Sequence, residues 1–261
     1  MRIGISWNPW ESVRKKSPLA RFQEVLCSAL RTDLYAQGLK EAGLGTFADI
    51  RALETIDEAC QRLPVTEFEE FTKQSPSGAR QPSRTRVGPH LPYLPGPQVV
   101  SLDEAQRLTQ CQAIAASAED LLALTRVLQR SGGPVPVVEN AIFPSTSLTG
   151  GTLTPEDRDR LWRVFRVPAF EQLLGIDGQV IAAECVAHEG LHLVGDHHGV
   201  EIVDERVVVT SLVEVRHPIL RVATDVSAEL RRGICGCGRT EPRLLNTCRI
   251  SESFTANALI A

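Results

Sequence analysis

Cysteine and histidine residues gather in two short segments, and their spacing suits metal binding. Cys185, His188 and His192 lie within eight residues, and Cys235 and Cys237 lie on a glycine-rich turn. Zinc prefers four tetrahedral sulfur or nitrogen ligands, and two thiolates on a tight turn can reach one ion. The neighbouring glycines favour such turns, because metal-binding turns often need a positive φ. The sequence therefore predicts a zinc site built from Cys185, Cys235, Cys237 and either His192 or His188.

This composition of ligands predicts a structural ion. Three cysteines and one histidine close the tetrahedron, whereas a catalytic zinc keeps one position open. His197 and His198 leave a catalytic zinc as an alternative, and they can equally be polar turn residues. A further alternative is that Cys235 and Cys237 are reduced surface thiols. A redox role is disfavoured, because Cys-x-Cys lacks the helix N-terminal placement that typically lowers the pKa of a thiol.

The overall composition excludes several classes of function. The 261 residues include 28 Lys plus Arg and 32 Asp plus Glu, and a net charge of −4 does not predict a nucleic-acid surface. No apolar run approaches the roughly 20 residues that span a bilayer, and residues 1–10 do not resemble a signal peptide. We therefore expect a cytoplasmic protein that binds neither membranes nor nucleic acids. Seven cysteines, an odd number, argue against a disulfide scaffold.

Hydrophobic periodicity predicts helices first and strands later. One helix is expected from Ser17 to Gly43, a second from Thr55 to Arg62 and a third after Thr66. Residues 74–97 are rich in Pro, Ser, Gly and Arg and predict a linker or exposed loop. The capping box at Ser101–Glu104 predicts a long helix that runs to Arg130.

The remaining segments predict mostly strands. Pro134–Ile142 has the pattern of a short buried strand. Thr154–Asp157 predicts the start of another helix, which runs through Leu161, Trp162 and Phe165. Val200–Val203 and Val207–Leu212 are rich in β-branched residues and predict a β-hairpin.

The predicted class is therefore α/β (mixed α+β), with a helical N-terminal half and a mostly β C-terminal part. Residues 1–98 would form a helical region with a Pro/Arg-rich loop. Residues 99–261 would form a helix and a β-rich zinc-containing region, packed as one unit.

The order of several C-terminal segments carries a family resemblance. Glu184–His192, Val200–Asp204 and Val208–Leu212 are followed by Pro218–Asp225 and by the turn Cys235–Thr240. This series resembles the phenylacetate–CoA ligase family of adenylate-forming, AMP-binding enzymes, whose turn reads Cys-Pro-Cys-Gly-Arg. The resemblance implies a truncated adenylate-forming domain. It also implies that, as in zinc-containing members, Cys185 and His192 are the partners of Cys235 and Cys237, so His192 is preferred to His188.

The parts that perform adenylation in this family are not found in the sequence. The family's phosphate loop contains lysine, whereas Ser145–Thr152 has none, lacks a strand–loop–helix context and predicts a flexible connector. The family's Tyr-Gly-x-x-Glu element would fall at Leu174–Gly178, without the aromatic residue or the glutamate. The glycine that precedes the family's ribose-binding aspartate is missing, so the resemblance implies that this aspartate is either Asp225, in a shifted position, or lost. Residues 246–261 are too short for the family's lid and its catalytic lysine.

We therefore expect a shortened, degenerate and non-catalytic relative of acyl-CoA ligases with structural zinc and no catalytic residue. It would bind a nucleotide, an acyl ligand or a protein partner, and ATP with magnesium at Asp225 remains an alternative cofactor. The second hypothesis is an AMP-forming acyl-activating component, completed by another chain that supplies the missing ligase parts. A third, a fragment of a disrupted gene, is disfavoured by the coherent helix predicted for residues 101–130.

Overall fold

A computed structural model describes residues 16–74, 99–105, 109–131, 135–148, 152–213 and 216–250. These residues form eight helices and a mixed sheet of 11 strands, which confirms the predicted α/β class. The helices are α1 (Pro18–Ala29), α2 (Asp33–Glu41), α3 (Phe47–Arg51), α4 (Ile56–Arg62), α5 (Phe68–Gln74), α6 (Leu102–Ala105), α7 (Ala118–Ser131) and α8 (Pro155–Phe165). The strands are β1 (Thr66–Glu67), β2 (Val99–Ser101), β3 (Gln110–Ser117), β4 (Val137–Ser147), β5 (Gln172–Leu174), β6 (Val180–Glu184), β7 (Leu191–Leu193), β8 (His198–Val203), β9 (Arg206–Ser211), β10 (Val222–Arg231) and β11 (Arg243–Arg249).

The chain divides into two compact units. Unit 1 comprises Met1–Gly78, Asp196–Val200 and Val208–Ala223, and unit 2 comprises Ala79–Gly195, Glu201–Val207 and Thr224–Ala261. The Pro/Arg-rich loop predicted for residues 74–97 falls, apart from Gln74, outside the described residues. None of the helices in the described ranges combines the length and apolar character needed to cross a membrane.

Unit 1 contains the N-terminal helices. The predicted single helix from Ser17 to Gly43 is wrong, because α1 ends at Ala29 and α2 begins at Asp33. The hydroxyl of Thr32 donates to the carbonyl oxygen of Ala29 at 2.7 Å, and Thr32 itself has extended backbone. Such a side-chain bond competes with continuation of the helix. The predicted start of a helix at Ser17 is confirmed, because its side chain accepts from Ala20 N–H. Thr55 caps α4 in the same way, by accepting from Glu58 N–H.

Strand pairing in the sheet of unit 2 changes once, from parallel to antiparallel. Strands β2, β3, β4 and β5 are parallel neighbours, and β5, β6, β7, β11 and β10 continue as antiparallel neighbours. Helices α7 and α8 share an apolar core with β3 and β4. Its buried members are Val100, Ala105, Cys111, Ile114, Leu121, Val138, Ile142, Leu153, Leu161, Phe165 and Val167.

Residues 110–117 form strand β3, so the helix predicted from Ser101 to Arg130 is wrong over this stretch. Ile114 pairs with Val100 on one side and with Ile142 on the other, in a parallel register. A central parallel strand is buried on both faces and has no alternation of polar and apolar residues. Periodicity alone cannot distinguish such a run from a buried helix, and the true helix, α7, begins only at Ala118.

Candidate metal centre

Four side chains of unit 2 converge on one point. The potential ligand atoms of Cys185, His192, Cys235 and Cys237 all lie within 4.8 Å of one another. The sulfur atoms of Cys185 and Cys235 are 3.7 Å apart, and Cys237 Sγ lies 3.6 Å from His192 Nε2. Cys185, Cys235 and His192 are buried, and Cys237 is half-buried.

Antiparallel pairing brings the two chelating segments together. Cys185 directly follows β6, His192 is the central residue of β7, and both remaining cysteines lie in the connection between β10 and β11. Because β7 pairs with β11, with His192 opposite Arg243, the β10–β11 connection is held beside the β6–β7 turn. The sheet thus closes a sequence gap of 50 residues between Cys185 and Cys235.

The second segment is a tight turn that requires glycine. Cys235 N–H donates to Arg239 O at 2.9 Å, and Gly238 N–H donates to Cys235 O at 2.8 Å. Gly238 has φ +87°, a backbone conformation that residues other than glycine rarely adopt. A Cβ at Gly236 would lie 2.9 Å from Glu189 Oε1, so the carboxylate also packs closely on this turn.

We expect Gly238→Ala to destabilise the protein by about 1–2 kcal/mol, the cost of a left-handed backbone at a residue with a Cβ. No atom lies within 4 Å of the added Cβ, so backbone strain is the main source of the effect. Urea unfolding of both proteins measures the change. Gly199→Ala, whose Cβ would meet Thr210 Cβ at an ordinary 3.8 Å, is the control. Equal stability of Gly238→Ala and wild type would contradict the assigned turn geometry.

Surrounding polar groups orient the candidate ligands. His192 Nδ1 lies 3.2 Å from Glu241 O, which assigns the Nδ1 proton to this bond and leaves Nε2 as an acceptor toward the cysteines. Glu189 Oε2 accepts from Gly236 N–H at 3.2 Å and from Arg243 Nη1 at 2.9 Å. The bond from the Gly236 backbone has the larger effect, and together with the bond from Arg243 it lowers the pKa of Glu189. Sequence reasoning missed Glu189 and Arg243, because nothing local links an arginine to a carboxylate 54 residues away.

The thiols differ in their electrostatic environments. Burial raises the pKa of Cys185 to about 11, and hydrogen bonding to the other two cysteines adds to this effect. The pKa of Cys237 is lowered: burial opposes the shift, but a hydrogen bond from the Arg239 backbone and bonds to the other cysteines outweigh it. Burial, and then the positive charge of Arg239, lower the pKa of His192, so its neutral, ligand-competent form is favoured near neutral pH.

The donor set, and two of the distances within it, fit a zinc ion. Tetrahedral zinc with sulfur at about 2.3 Å and nitrogen at about 2.0–2.1 Å requires S···S separations of about 3.8 Å and S···N separations of about 3.6 Å. The two measured distances, 3.7 and 3.6 Å, agree with this geometry. A disulfide is excluded between Cys185 and Cys235, because its sulfur atoms would be about 2.05 Å apart.

The other candidate residues lie elsewhere. His188 is not part of the cluster: its Nδ1 lies 2.8 Å from Glu184 Oε1, and its ring stacks on Phe170 with centroids 5.1 Å apart. Asp225 is half-buried on β10 and is not part of the cluster either. His197 belongs to unit 1, where its Nδ1 lies 3.4 Å from Arg21 Nη1, and His198 begins β8.

A buried ionic network that sequence reasoning missed lies next to the metal centre. Arg158 donates from Nη1 to Glu184 Oε2 and from Nη2 to Glu171 Oε2, both at 2.9 Å. Glu171 also accepts from the Thr146 hydroxyl at 2.8 Å and from Leu153 N–H at 3.1 Å. The side chains of Glu171 and Glu184 are only 2% and 5% exposed, so Arg158 offsets the charge of two desolvated carboxyl groups.

The stability contribution of Glu171 should fall as the pH rises. Burial raises its pKa above the ordinary 4.5, although the bonds from Thr146 and Leu153 and the charge of Arg158 oppose this. A raised folded-state pKa means that the contribution is fully present below the unfolded pKa and is lost as the pH rises through the folded pKa. We expect the advantage of wild type over Glu171→Gln in free energy of unfolding to be largest at and below pH 4.5, and to shrink toward neutral pH.

Urea unfolding from pH 4 to pH 7.5 measures this dependence. Glu156→Gln, an exposed residue in the first turn of α8, is the control and should show no such trend. An advantage of wild type that grows with pH would instead show that Arg158 holds the buried carboxyl in its ionised form.

The serine- and threonine-rich stretch at residues 145–152 has a different structure from the one predicted. Ser145–Ser147 end strand β4 and pair with β5, and α8 begins at Pro155, so this stretch follows a parallel strand and precedes a helix. The prediction of a flexible connector is therefore wrong for residues 145–147, because pairing with the parallel strand β5 extends β4 to Ser147. Residues 149–151 lie outside the described residues.

The fold of this chain is similar to that of solved CoA ligase structures. A solved 2-hydroxyisobutyryl-CoA ligase with 2-HIB-AMP and CoA, in the thioesterification state, matches at 15% identity with a TM-score of 0.64, over 92% of this chain and 69% of that chain. The same enzyme in its postadenylation state with 2-HIB-AMP matches at 13% identity and a TM-score of 0.64, over 94% and 70%. At these identities the likeness establishes the fold alone. No protein-family model and no curated protein sequence matches the chain.

Proposed function

We propose that this chain is a shortened, non-catalytic relative of adenylate-forming acyl-CoA ligases, held together by structural zinc at Cys185, His192, Cys235 and Cys237. The observation that carries the proposal is the convergence of these four ligand atoms within 4.8 Å in a chain with the CoA-ligase fold. Its role is to bind an acyl compound, a nucleotide or a protein partner. The specific likeness to phenylacetate–CoA ligases is part of the proposal.

The zinc would link two turns that lack a core of their own. Three thiolates and one imidazole leave no open coordination position, so the ion would supply folding energy rather than a reactive water. The carbonyl oxygen of Glu241 would fix the tautomer of His192, and the carboxylate of Glu189 would hold Gly236 and Arg243 beside the ion.

The start of α8 favours a non-catalytic role. In α/β sheets, a phosphate commonly binds at the N-terminus of the helix after a parallel strand, through unpaired backbone N–H groups. Here the Thr154 hydroxyl accepts from Asp157 N–H, and Asp157 in turn accepts from Thr154 N–H. Glu156 and Asp157 also add negative charge to the first turn. Both features disfavour a triphosphate at this helix.

The connection between β5 and β6, at residues 175–179, contains no aromatic residue on which an adenine ring could stack. Leu174 ends β5 where the family places an aromatic residue, and Gly175 N–H donates to Gln179 O at 2.8 Å, so the chain reverses within a few residues. A Cβ at Gly175 would lie 2.9 Å from Ile181 Cγ2, which indicates that the turn is packed tightly against β6.

The second candidate is an acyl-activating component completed by another chain. The position of β4 directly before α8 in the chain favours it, because ligands of parallel sheets bind at the carboxyl ends of the strands. ATP with magnesium, with the ribose at Asp225, belongs to this candidate.

Exchange of labelled pyrophosphate into ATP distinguishes the two. The zinc-loaded chain is mixed with ATP and magnesium and with phenylacetate or 2-hydroxyisobutyrate. We expect no exchange above a heat-denatured control and no saturable ATP binding by calorimetry. Exchange by the isolated chain would refute the non-catalytic proposal, and exchange only after a partner protein is added would favour the second candidate.

A further inference from the structure

A pocket of about 540 Å³ opens in unit 2 beside the buried ionic network. It lies where β5 begins and β6 ends, because Glu171 directly precedes β5 and Glu184 is the last residue of β6. Ligands of parallel sheets bind at the opposite, carboxyl ends of the strands. The β5–β6 connection at residues 175–179, Asp225 and the four candidate metal ligands do not line this pocket.

Negative charge predominates among the groups that line the pocket. Arg158 is the single lysine or arginine on its lining, whereas Asp159, Glu171 and Glu184 supply three carboxyl groups. Both terminal nitrogens of Arg158 are already bonded to Glu171 and Glu184, so its charge is offset within the protein. The charged groups on the lining include more carboxylates than cations even when Glu171 carries a proton. The side chain of Asp159 is 74% exposed, and its nearest ion pair, with Arg163, is long at 4.0 Å.

Aromatic and apolar surfaces form much of the rest of the wall. Half of Trp162 is exposed, and it lines the pocket. His188, also on the lining, is stacked nearly parallel on buried Phe170, at 8°. Leu153, Val167 and Leu191 complete an apolar surface. A cation near an indole face and a carboxylate gains from both, whereas an anion gains from neither.

We propose that this pocket binds an organic ammonium ion with an apolar body, the ammonium group meeting Asp159 and the face of Trp162. Its volume falls within the range of about 300–1,000 Å³ that small-molecule sites occupy. Carboxylates and phosphates, the groups that an adenylating enzyme recognises, are disfavoured by the same charges. The site does not depend on the proposed function, since it uses neither the candidate zinc ligands nor the adenylate region.

Three probes of similar shape and different charge test the proposal: 2-phenylethylamine, 2-phenylethanol and phenylacetate. They are titrated into the zinc-loaded chain by calorimetry. In a Trp7→Phe, Trp10→Phe background, Trp162 is the one remaining tryptophan, so its fluorescence reports binding directly. We expect saturable binding of the amine, weaker binding of the alcohol and none of the carboxylate. Equal binding of amine and carboxylate, or no saturable binding of the amine, would overturn the proposal.

Two variants locate the amine. Asp159→Asn should weaken its binding about two- to fivefold, the scale of an exposed ion pair. Trp162→Leu should weaken calorimetric binding by a similar factor, about two- to fivefold for an exposed cation–π contact. Glu156→Gln, on the same helix but outside the pocket, is the matched control. Amine binding that neither Asp159→Asn nor Trp162→Leu changes would place the amine elsewhere and refute the assignment.

Discussion

Replacing both Cys235 and Cys237 with serine is expected to abolish zinc binding and to lower the melting temperature by about 8–16 °C. Anything that binds only the folded state stabilises it by about 4 kcal/mol when its free concentration is a thousandfold above the dissociation constant. One kcal/mol corresponds to about 2–4 °C in a chain of this size. The loss should be large because both cysteines, one of them buried, lie on a turn with little apolar packing of its own.

Elemental analysis and thermal unfolding check this result together. Protein purified without a histidine tag should contain about one zinc per chain, and a strong chelator should lower its melting temperature toward that of the double variant. Cys248→Ser is the control, because Cys248 is exposed and is not part of the cluster. A double variant that melts like wild type would contradict a structural role for the ion.

His188→Ala and His192→Ala distinguish the two histidines in the same assay. Only the His192 variant should lose metal affinity, because His192 Nε2 faces Cys237 whereas His188 is bonded to Glu184.

Arg158→Ala is expected to destabilise the protein by about 3–5 kcal/mol at neutral pH, the usual cost of leaving a buried charge unpaired. Removing the guanidinium leaves Glu171 and Glu184 facing each other without a counter-charge. The lower end of the range is expected, because a third of the Arg158 side chain is exposed to water, which screens the interaction. Protonation of Glu171 limits the cost, so the difference from wild type should shrink in acid.

Urea unfolding at pH 7.5 and pH 5 measures the loss of unfolding free energy in Arg158→Ala and its decrease in acid. Arg160→Ala is the matched control, because Arg160 lies on the same helix, is exposed, and makes a long 3.8 Å ion pair with Asp157. That control should cost no more than about 1 kcal/mol. If Arg158→Ala is no more destabilising than Arg160→Ala, the network contributes nothing beyond a surface ion pair.

The sequence by itself determined the features that depend on local chemistry. Helix starts at Ser17 and Thr154 could be located, because a hydroxyl accepts from an N–H group three residues ahead whatever the rest of the fold does. The four residues that converge were also named from sequence, since few side chains other than cysteine and histidine suit zinc. Their role as ligands remains a prediction that the metal analysis tests.

Only the tertiary structure decided the features that depend on distant partners. Strand β3 could not be distinguished from a helix until β2 and β4 were seen to flank it. The preference for His192 over His188 is explained by the pairing of β7 with β11, which directs one imidazole toward Cys237 and leaves the other beside Glu184. The Arg158 network joins residues up to 26 positions apart, and no local pattern encodes which charges a folded sheet will bury together.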